Sequence, residues 1–221
     1  MQSFFIYPAK SPAGKHTVLL LIISYWVLYG LINFVTARYV LTDNFYFQSF
    51  SDQLTFDRIS QVIEQRKRWE WLGYALFLLV ILIKVYYASA CIFTAALLGN
   101  ISIRWKDILR VVVTCEIVFV FASVIRLGFF LISPPGNMET LGNFAPLSVS
   151  MLLGSGVPKY LLYALQTINL FELVYCLMLA AGLMYYTKRT FGSCLAWVAR
   201  SYVPGLLIWV IFVIFLSIQL Q

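Results

Sequence analysis

The chain has 221 residues, of which 62% are hydrophobic and only 11% are charged, and its mean hydropathy is +0.86. Such a composition leaves too little polar surface for a water-soluble globule and predicts a membrane protein that crosses the bilayer several times. The net charge of +7 belongs to basic residues in loops beside apolar segments, so it does not indicate a nucleic-acid partner.

Five apolar runs follow one another along the chain and predict membrane-spanning helices. They cover about residues 17–39, 70–98, 107–132, 158–187 and 190–220. Each can cross roughly 30 Å of hydrocarbon at about 1.5 Å per residue, and together they leave no room for a separate soluble domain. We therefore predict that the whole chain is one all-α membrane domain, a five-transmembrane-helix bundle. A transmembrane β-barrel would instead show alternating segments of about 10 residues.

The connection between spans one and two is amphipathic. Phe56, Ile59 and Ile63 recur at helical spacing just before the second apolar run. This pattern predicts an amphipathic interfacial helix that lies on the membrane surface, and an ordinary surface connector is the alternative. Basic and tryptophan side chains at its end are typical of residues at headgroup depth. The predicted lipid contacts are Arg66, Lys67, Arg68, Trp69 and Trp71.

The connection between spans three and four begins with Pro134 and Pro135, which cannot continue a helix. Residues 141–153 are apolar again but too few to cross the hydrocarbon, so they predict an interfacial or re-entrant segment. Inside span five, Pro204 followed by Gly205 predicts a kink.

Basic residues in short loops predict the orientation of the spans. Lys10 and Lys15 precede span one, and the basic loops after spans two and four then face the same side. The N-terminus is therefore expected in the cytoplasm and the C-terminus outside, although the connection between spans one and two is also basic. The predicted cytoplasmic contact patch consists of Arg104, Trp105, Lys106, Asp107, Lys188 and Arg189. Simple anchoring by positive charge is the alternative role for this patch.

Four ionisable residues lie well inside the spans, where an unpaired charge would cost several kcal/mol. Lys84 and Glu172 both lie about 21–23 Å from the cytoplasmic end of their spans. Glu116 and Arg200 both lie about 14–15 Å from that end. Equal depth predicts two interhelical ion pairs, Lys84 with Glu172 and Glu116 with Arg200.

A fifth intramembrane charge, Arg126, has no carboxylate at matching depth. It is expected to remain without an ion-pair partner inside the bundle and to extend towards the outer face or Glu139. Two interpretations of the predicted pairs stay open: they only set helix register, or Glu116 and Glu172 line a proton or ion path. No inverted repeat of the kind found in transporters is evident.

The sequence holds no recognisable catalytic or metal-binding constellation. Its only histidine, His16, has no serine or cysteine partner nearby, and there is no HExxH, GxSxG or phosphate-binding glycine motif. The four cysteines lie in apolar runs without CxxC spacing, as expected of small buried hydrophobes. No enzymatic activity, cofactor or metal is therefore expected.

A series of soft motifs in the second half of the chain is typical of one protein family. Residues 99–110, GNISIRWKDILR, lead into a span that contains Glu116, and a Pro-Gly break follows. Residues 188–192, KRTFG, then join two closely spaced spans, and small residues at 192–196 enter the last one. Over residues 70–221 this arrangement resembles the Yip1-domain family, most of all its bacterial branch. The resemblance implies five spans, a cytosolic N-terminus and an external or lumenal C-terminus.

The resemblance says little about function. Eukaryotic members of that family are trafficking factors that contact small GTPases, whereas bacterial members have no settled role. Because only about sixteen residues precede span one, we expect a bacterial inner-membrane protein, with a eukaryotic endomembrane as the alternative. We predict a non-enzymatic scaffold or subunit of a membrane assembly, whose partners are lipids and other membrane subunits or copies of itself. The alternative is a transporter or channel component that uses Glu116 and Glu172.

Overall fold

The computed structural model describes residues 15–51, 53–153 and 159–219, and most of these are helical. In chain order the α-helices are α1 (Lys15–Val35), α2 (Asp43–Phe50), α3 (Phe56–Leu98), α4 (Trp105–Cys115), α5 (Ile117–Ile132), α6 (Met138–Asn143), α7 (Val149–Leu153), α8 (Lys159–Thr167), α9 (Leu170–Thr187) and α10 (Phe191–Gln219). A π-helical turn, Thr36–Val40, extends α1. The described residues contain no β-strand.

Five helical segments of the described chain are long and apolar enough to cross a membrane. They are Thr17–Val40, Phe56–Leu98, Trp105–Ile132, Leu170–Thr187 and Phe191–Gln219. The prediction of an all-α bundle with five spans is confirmed to this extent. The predicted first residue of span four, 158, and the predicted last residue of span five, 220, lie outside the described residues.

The core of the bundle lies where α3, α4, α9 and α10 meet. Ile92, Val112, Tyr175 and Val198, one from each helix, are fully buried there, and Tyr25 of α1 packs at its edge. The outward faces of the same helices carry exposed large apolar side chains. Because hydrocarbon is as apolar as these side chains, helix association in a bilayer depends on close packing rather than on burial from water.

A glycine permits the closest approach between α9 and α4. A Cβ added to Gly182 would lie only 2.5 Å from Cγ1 of Val111 and 3.2 Å from its Cγ2. Small residues at such crossings bring two backbones together and increase van der Waals contact.

The proline of span five lies at a similar crossing between α10 and α3. Helix α10 continues past Pro204, and a Cβ on the neighbouring Gly205 would lie 2.5 Å from Sγ of Cys91. The hydroxyl of Tyr87 in α3 donates a hydrogen bond to the Gly205 carbonyl at 2.8 Å. This hydrogen bond joins α3 to α10 at a point where the two helices approach closely.

The amphipathic segment before span two is not a separate interfacial helix. Helix α3 runs without a break for 43 residues, which is about 64 Å at the usual rise. Hydrocarbon is only about 30 Å thick, so the first part of α3 projects beyond it in the direction of the span. No glycine or proline interrupts residues 56–72, so nothing in the backbone separates the amphipathic segment from the span.

Helix α2 packs against this projecting part of α3. Phe45 and Tyr46 of α2 form a second, smaller buried cluster with Ile59 and Ile63 of α3, and α6 packs against it. The side chain of Thr42 begins α2 by accepting a hydrogen bond from the backbone N–H of Phe45. The connection between spans one and two is thus a packed helical pair.

The segment predicted as one helix over residues 158–187 holds two helices, and only the second, Leu170–Thr187, is long and apolar enough to cross a membrane. Helix α8 ends at Thr167 and α9 begins at Leu170. Between them the side chain of Asn169 accepts a hydrogen bond from the backbone N–H of Glu172 at 2.8 Å. An asparagine that caps a new helix in this way offers the backbone an alternative to continuing the old one.

The segment before α7 supplies partners for the backbone freed at this break. The N–H of Val149 donates to the carbonyl of Ile168, and the N–H of Leu170 donates to the carbonyl of Leu147, both at 3.0 Å. The segment predicted as interfacial or re-entrant therefore packs its backbone against the break in span four. Irregular backbone in a membrane protein is tolerated where protein groups satisfy it in this way.

Gly182→Ala tests the close approach of α9 and α4. The new methyl group overlaps Val111, and we expect the free energy of unfolding to fall by about 1–3 kcal/mol. The measurement is thermal or denaturant unfolding in mild detergent. Gly128→Ala in α5 is the matched control, because a Cβ there meets nothing within 4 Å and alanine has the higher helix propensity. Equal effects of the two substitutions would contradict the proposed packing.

Candidate functional site

A cavity of about 460 Å³ lies beside the break in span four. Helices α3, α5, α8, α9 and α10 all contribute to its wall, which is mainly apolar and aromatic. The charged or amide-bearing residues in the wall are Lys84, Arg126, Gln166, Asn169 and Glu172. A concave apolar site with a few convergent polar groups is the usual form of a small-molecule site in proteins.

The cavity lies near the middle of the membrane-spanning part of the bundle. Lys84 is fourteen residues, about 21 Å, from the end of α3 at Leu98. It is thirteen residues, about 20 Å, from the exposed Trp71 near the opposite interface. The total of about 40 Å matches a bilayer with its headgroup regions, which places Lys84 close to the midplane.

Lys84 forms a salt bridge with Glu116 at the junction of α4 and α5. Its Nζ lies 3.0 Å from Oε2 of Glu116, 3.2 Å from the ring centroid of Phe119 and 5.5 Å from that of Tyr175. The Glu116 side chain is 5% exposed and the Lys84 side chain 37%. Opposite charge and two aromatic faces together compensate an ammonium group that would otherwise stand alone at this depth.

Neither of the two predicted ion pairs is formed. Glu116 pairs with Lys84 rather than with Arg200, and Glu172 accepts a hydrogen bond from Tyr202 rather than pairing with Lys84. Arg200 is exposed on α10 and has no salt bridge within the described chain. Depth along straight helices does not say which face of a helix a side chain occupies, and spans three and four both depart from straight helices. Equal depth was therefore insufficient to identify the partners.

Glu172 lies in the first turn of α9 rather than in the middle of a helix. The hydroxyl of Tyr202 in α10 donates a hydrogen bond to its Oε1 at 2.6 Å. Its second oxygen has no hydrogen-bond partner within the described chain, and the side chain lines the cavity. Of the two carboxylates predicted for a path, Glu172 is the one that faces the cavity.

Arg126 extends from α5 towards α6. Its Nη2 donates to the carbonyl of Leu141 at 2.8 Å, and its guanidinium lies 5.4 Å from the ring centroid of Phe130. Its Nε is buried without a hydrogen-bond partner in the described part of the chain. Arg126 also lines the cavity, so it remains a cation there without an ion-pair partner.

The predicted cytoplasmic patch is only partly a surface. Lys106, Lys188 and Arg189 are exposed, and Trp105 is half-buried against Phe93. Asp107 differs from that prediction because it is 6% exposed. Its Oδ2 accepts a hydrogen bond from Nε of Arg104 at 2.7 Å. This carboxylate lies in the first turn of α4, where a negative charge favours the helix N-terminus.

The basic and tryptophan side chains predicted to contact lipid lie in two different environments. Arg68, Trp69 and Trp71 are exposed. Arg66 and Lys67 are engaged with the protein itself: Arg66 donates to the carbonyl of Leu41, and Lys67 pairs with Asp43. Burial raises the pKa of the Tyr46 phenol, and the nearby Arg66 guanidinium opposes that shift.

The sequence-based prediction missed the two side chains that place Glu172. Tyr202 carries no charge, so no depth comparison included it. Asn169 could have been found, because Asn169 followed three residues later by Glu172 matches the capping-box pattern that marks a helix start.

No protein-family model, curated protein or solved structure matches this chain. The resemblance to the Yip1-domain family therefore stays a prediction from the sequence.

Lys84→Met tests the salt bridge at the midplane. It leaves the buried Glu116 carboxylate without a countercharge, and we expect a loss of about 3 kcal/mol in the free energy of unfolding. Adding Glu116→Met removes the remaining charge and should recover most of that loss. The measurement is a double-mutant cycle by unfolding in mild detergent. Arg200→Met is the control and should have little effect, so equal losses for Lys84→Met and Arg200→Met would refute the pairing.

Tyr202→Phe tests the hydrogen bond to Glu172. Removing the hydroxyl should lower the free energy of unfolding by about 1.5–3 kcal/mol, the usual value for a hydrogen bond to a charged group. Tyr175→Phe is the matched control. The Tyr175 ring packs against Tyr202, and its buried hydroxyl has no partner in the described part of the chain. Its removal should be neutral or stabilising, and a larger loss for Tyr175→Phe than for Tyr202→Phe would contradict the assignment.

Proposed function

We propose that the protein is a non-enzymatic membrane transporter or channel component whose mid-membrane cavity binds the molecule or ion that passes. The observation that carries this proposal is the position of Glu172, which lines the cavity at the start of α9 in a broken span. This was the alternative in the sequence-based prediction. The site geometry favours it over a scaffold role, which requires no cavity.

The cavity supports the proposal by its size and its wall. Its volume of about 460 Å³ lies within the range of roughly 300–1,000 Å³ common for small-molecule sites. Three charged side chains, Lys84, Arg126 and Glu172, lie in its wall.

The break in span four supports the proposal independently. Secondary transporters commonly form their sites where a membrane helix is interrupted, because the interruption brings helix ends and backbone groups to the substrate. Here the interruption lies between Thr167 and Leu170, and both flanking helices contribute to the cavity wall. The junction of α4 and α5 at Glu116 is a second irregular point among the helices around the salt bridge.

The two carboxylates have different environments. Glu116 is buried and compensated by Lys84, as a structural charge is. Within the described chain each carboxylate is held through one oxygen only, and Glu172 differs because its side chain lines the cavity. We therefore propose that Glu172 binds the molecule or ion that passes, and that the pair of Lys84 with Glu116 is structural.

A scaffold or subunit role in a membrane assembly is the second candidate. It is favoured by α1, on which Tyr25 is the only buried side chain of the described ones while many large apolar side chains are exposed. Such a helix has room for a partner helix, either of another subunit or of a second copy. The basic loops favour a cytoplasmic N-terminus, and the resemblance to the bacterial branch of the Yip1-domain family favours a bacterial inner membrane.

A flux assay tests the transport proposal. The purified protein is reconstituted in liposomes, a mixture of small organic anions, cations and zwitterions is added outside, and each compound that enters is quantified by mass spectrometry. We expect a flux that Glu172→Gln reduces at least tenfold, because the substitution removes the cavity carboxylate while keeping its shape.

Arg200→Gln is the control variant and should retain the flux, because Arg200 lies outside the cavity wall. Thermal unfolding confirms that each variant is folded. Absence of flux in the unchanged protein, or full flux in the folded Glu172→Gln variant, would overturn the transport proposal and leave the scaffold role.

A further inference from the structure

Two opposite charges line the same apolar cavity without contacting each other. Arg126 and Glu172 both face it, and no salt bridge joins them. Each is held by a neutral partner instead: the guanidinium donates to the Leu141 carbonyl, and the carboxylate accepts from the Tyr202 hydroxyl.

Both groups keep unused hydrogen-bonding capacity. Nε of Arg126 is buried without a partner, and Glu172 uses one of its two oxygens, within the described chain. Charged groups with unsatisfied hydrogen bonds are costly in a low-dielectric site, because neither water nor a countercharge compensates them fully. A ligand with one acceptor group for Arg126 and one donor group for Glu172 would therefore complete the hydrogen bonds of both side chains.

We propose that the cavity binds a small zwitterionic molecule with an apolar body, whose anionic group meets Arg126 and whose ammonium group meets Glu172. This inference rests on the proposed function and names the class of molecule that the cavity takes. An anion alone would leave Glu172 uncompensated, and a cation alone would leave Arg126 uncompensated. A zwitterion satisfies both and leaves the net charge of the site unchanged.

The charge balance of the wall supports a molecule with no net charge. Lys84, Arg126 and Glu172 line the wall, and Glu116 lies behind it as the partner of Lys84. Lys84 and Glu116 already compensate each other at 3.0 Å, so the remaining balance is one cation and one carboxylate. Transferring a net charge to the membrane midplane would cost several kcal/mol more than transferring a neutral zwitterion to these partners.

Aromatic side chains form the wall for the apolar body. Trp209 donates through Nε1 to the hydroxyl of Tyr163 at 3.1 Å, and its ring lies 5.8 Å from that of Tyr87, centroid to centroid. All three line the cavity. Flat aromatic surfaces favour a flat or aromatic body, and the ammonium group of a zwitterion also gains from an aromatic face.

A free solute and a zwitterionic lipid headgroup share this chemistry. A solute such as an aromatic amino acid and the phosphoethanolamine group of a phospholipid both carry one anionic and one ammonium group. The experiment therefore has one arm for each source.

The first arm uses three compounds with one indole skeleton: tryptophan, indole-3-propionate and tryptamine. Binding to the full chain in mild detergent is measured by equilibrium dialysis and by the shift in unfolding temperature. Tryptophan should bind at least about tenfold more tightly than either singly charged compound, as expected when one charged hydrogen bond is lost.

The second arm titrates phosphatidylethanolamine into the same preparation, with phosphatidylglycerol as the control headgroup. Stabilisation of the protein by phosphatidylethanolamine alone, with no preference for tryptophan over its singly charged relatives, assigns the site to a lipid headgroup. A preference for tryptophan assigns it to a free solute. Either result supports a zwitterion site.

Substitutions at Arg126 and Glu172 identify which side chain binds which charged group of the probe. Arg126→Gln should weaken tryptophan and indole-3-propionate about tenfold or more and leave tryptamine unchanged. Glu172→Gln should weaken tryptophan and tryptamine and leave indole-3-propionate unchanged. Arg126→Lys keeps the charge and should keep the preference for tryptophan over tryptamine. Arg200→Gln, outside the cavity wall, should alter none of the three.

The outcomes separate this inference from the proposed function. Binding of indole-3-propionate or tryptamine as tightly as tryptophan, without a preference for phosphatidylethanolamine, overturns the zwitterion. So does the absence of binding by every probe. If the flux that depends on Glu172 is present in those cases, the transport proposal stands and only the class of molecule is wrong. If that flux is absent as well, the transport proposal fails too.

Discussion

The salt bridge between Lys84 and Glu116 is the interaction on which the interior of this bundle depends. It joins α3 to the junction of α4 and α5 near the midplane, where neither charge could remain alone. The ammonium lies over the ring of Phe119, and the same aromatic shell continues through Tyr175 to Tyr202. Because Lys84 is occupied by Glu116, Glu172 is left to be oriented by a neutral hydroxyl and to face the cavity.

The break in span four is the second determining feature. A continuous helix over residues 158–187 would place Glu172 in mid-helix, with its backbone N–H bonded within that helix. The cap by Asn169 instead begins a new helix there, and the segment before α7 pairs with the interrupted backbone. The cavity lies beside this interruption, so a local capping preference and the opening in the bundle have the same structural origin.

The first part of α3, together with α2 and α6, is connected to the cavity through Arg126. Helix α6 packs against the cluster formed by α2 and α3, and its Leu141 carbonyl holds Arg126 in the cavity wall. Helices α2 and α6 therefore contribute to the position of Arg126. A change in their packing would reach the cavity through this side chain.

The amino-acid sequence by itself determined the class of the protein, the number of long apolar helices and the residues that carry intramembrane charge. These follow from composition and from the length of apolar runs, which reflect the solvent around the chain. It did not determine the partners of those charges, because depth along a helix leaves the face and the bend of that helix open. Tertiary structure decided that Glu116, rather than Glu172, meets Lys84, and that the backbone freed at the break pairs with the segment before α7. Both depend on contacts between segments distant in sequence, and packing and hydrogen bonding across helices select among alternatives that the local sequence leaves nearly equal.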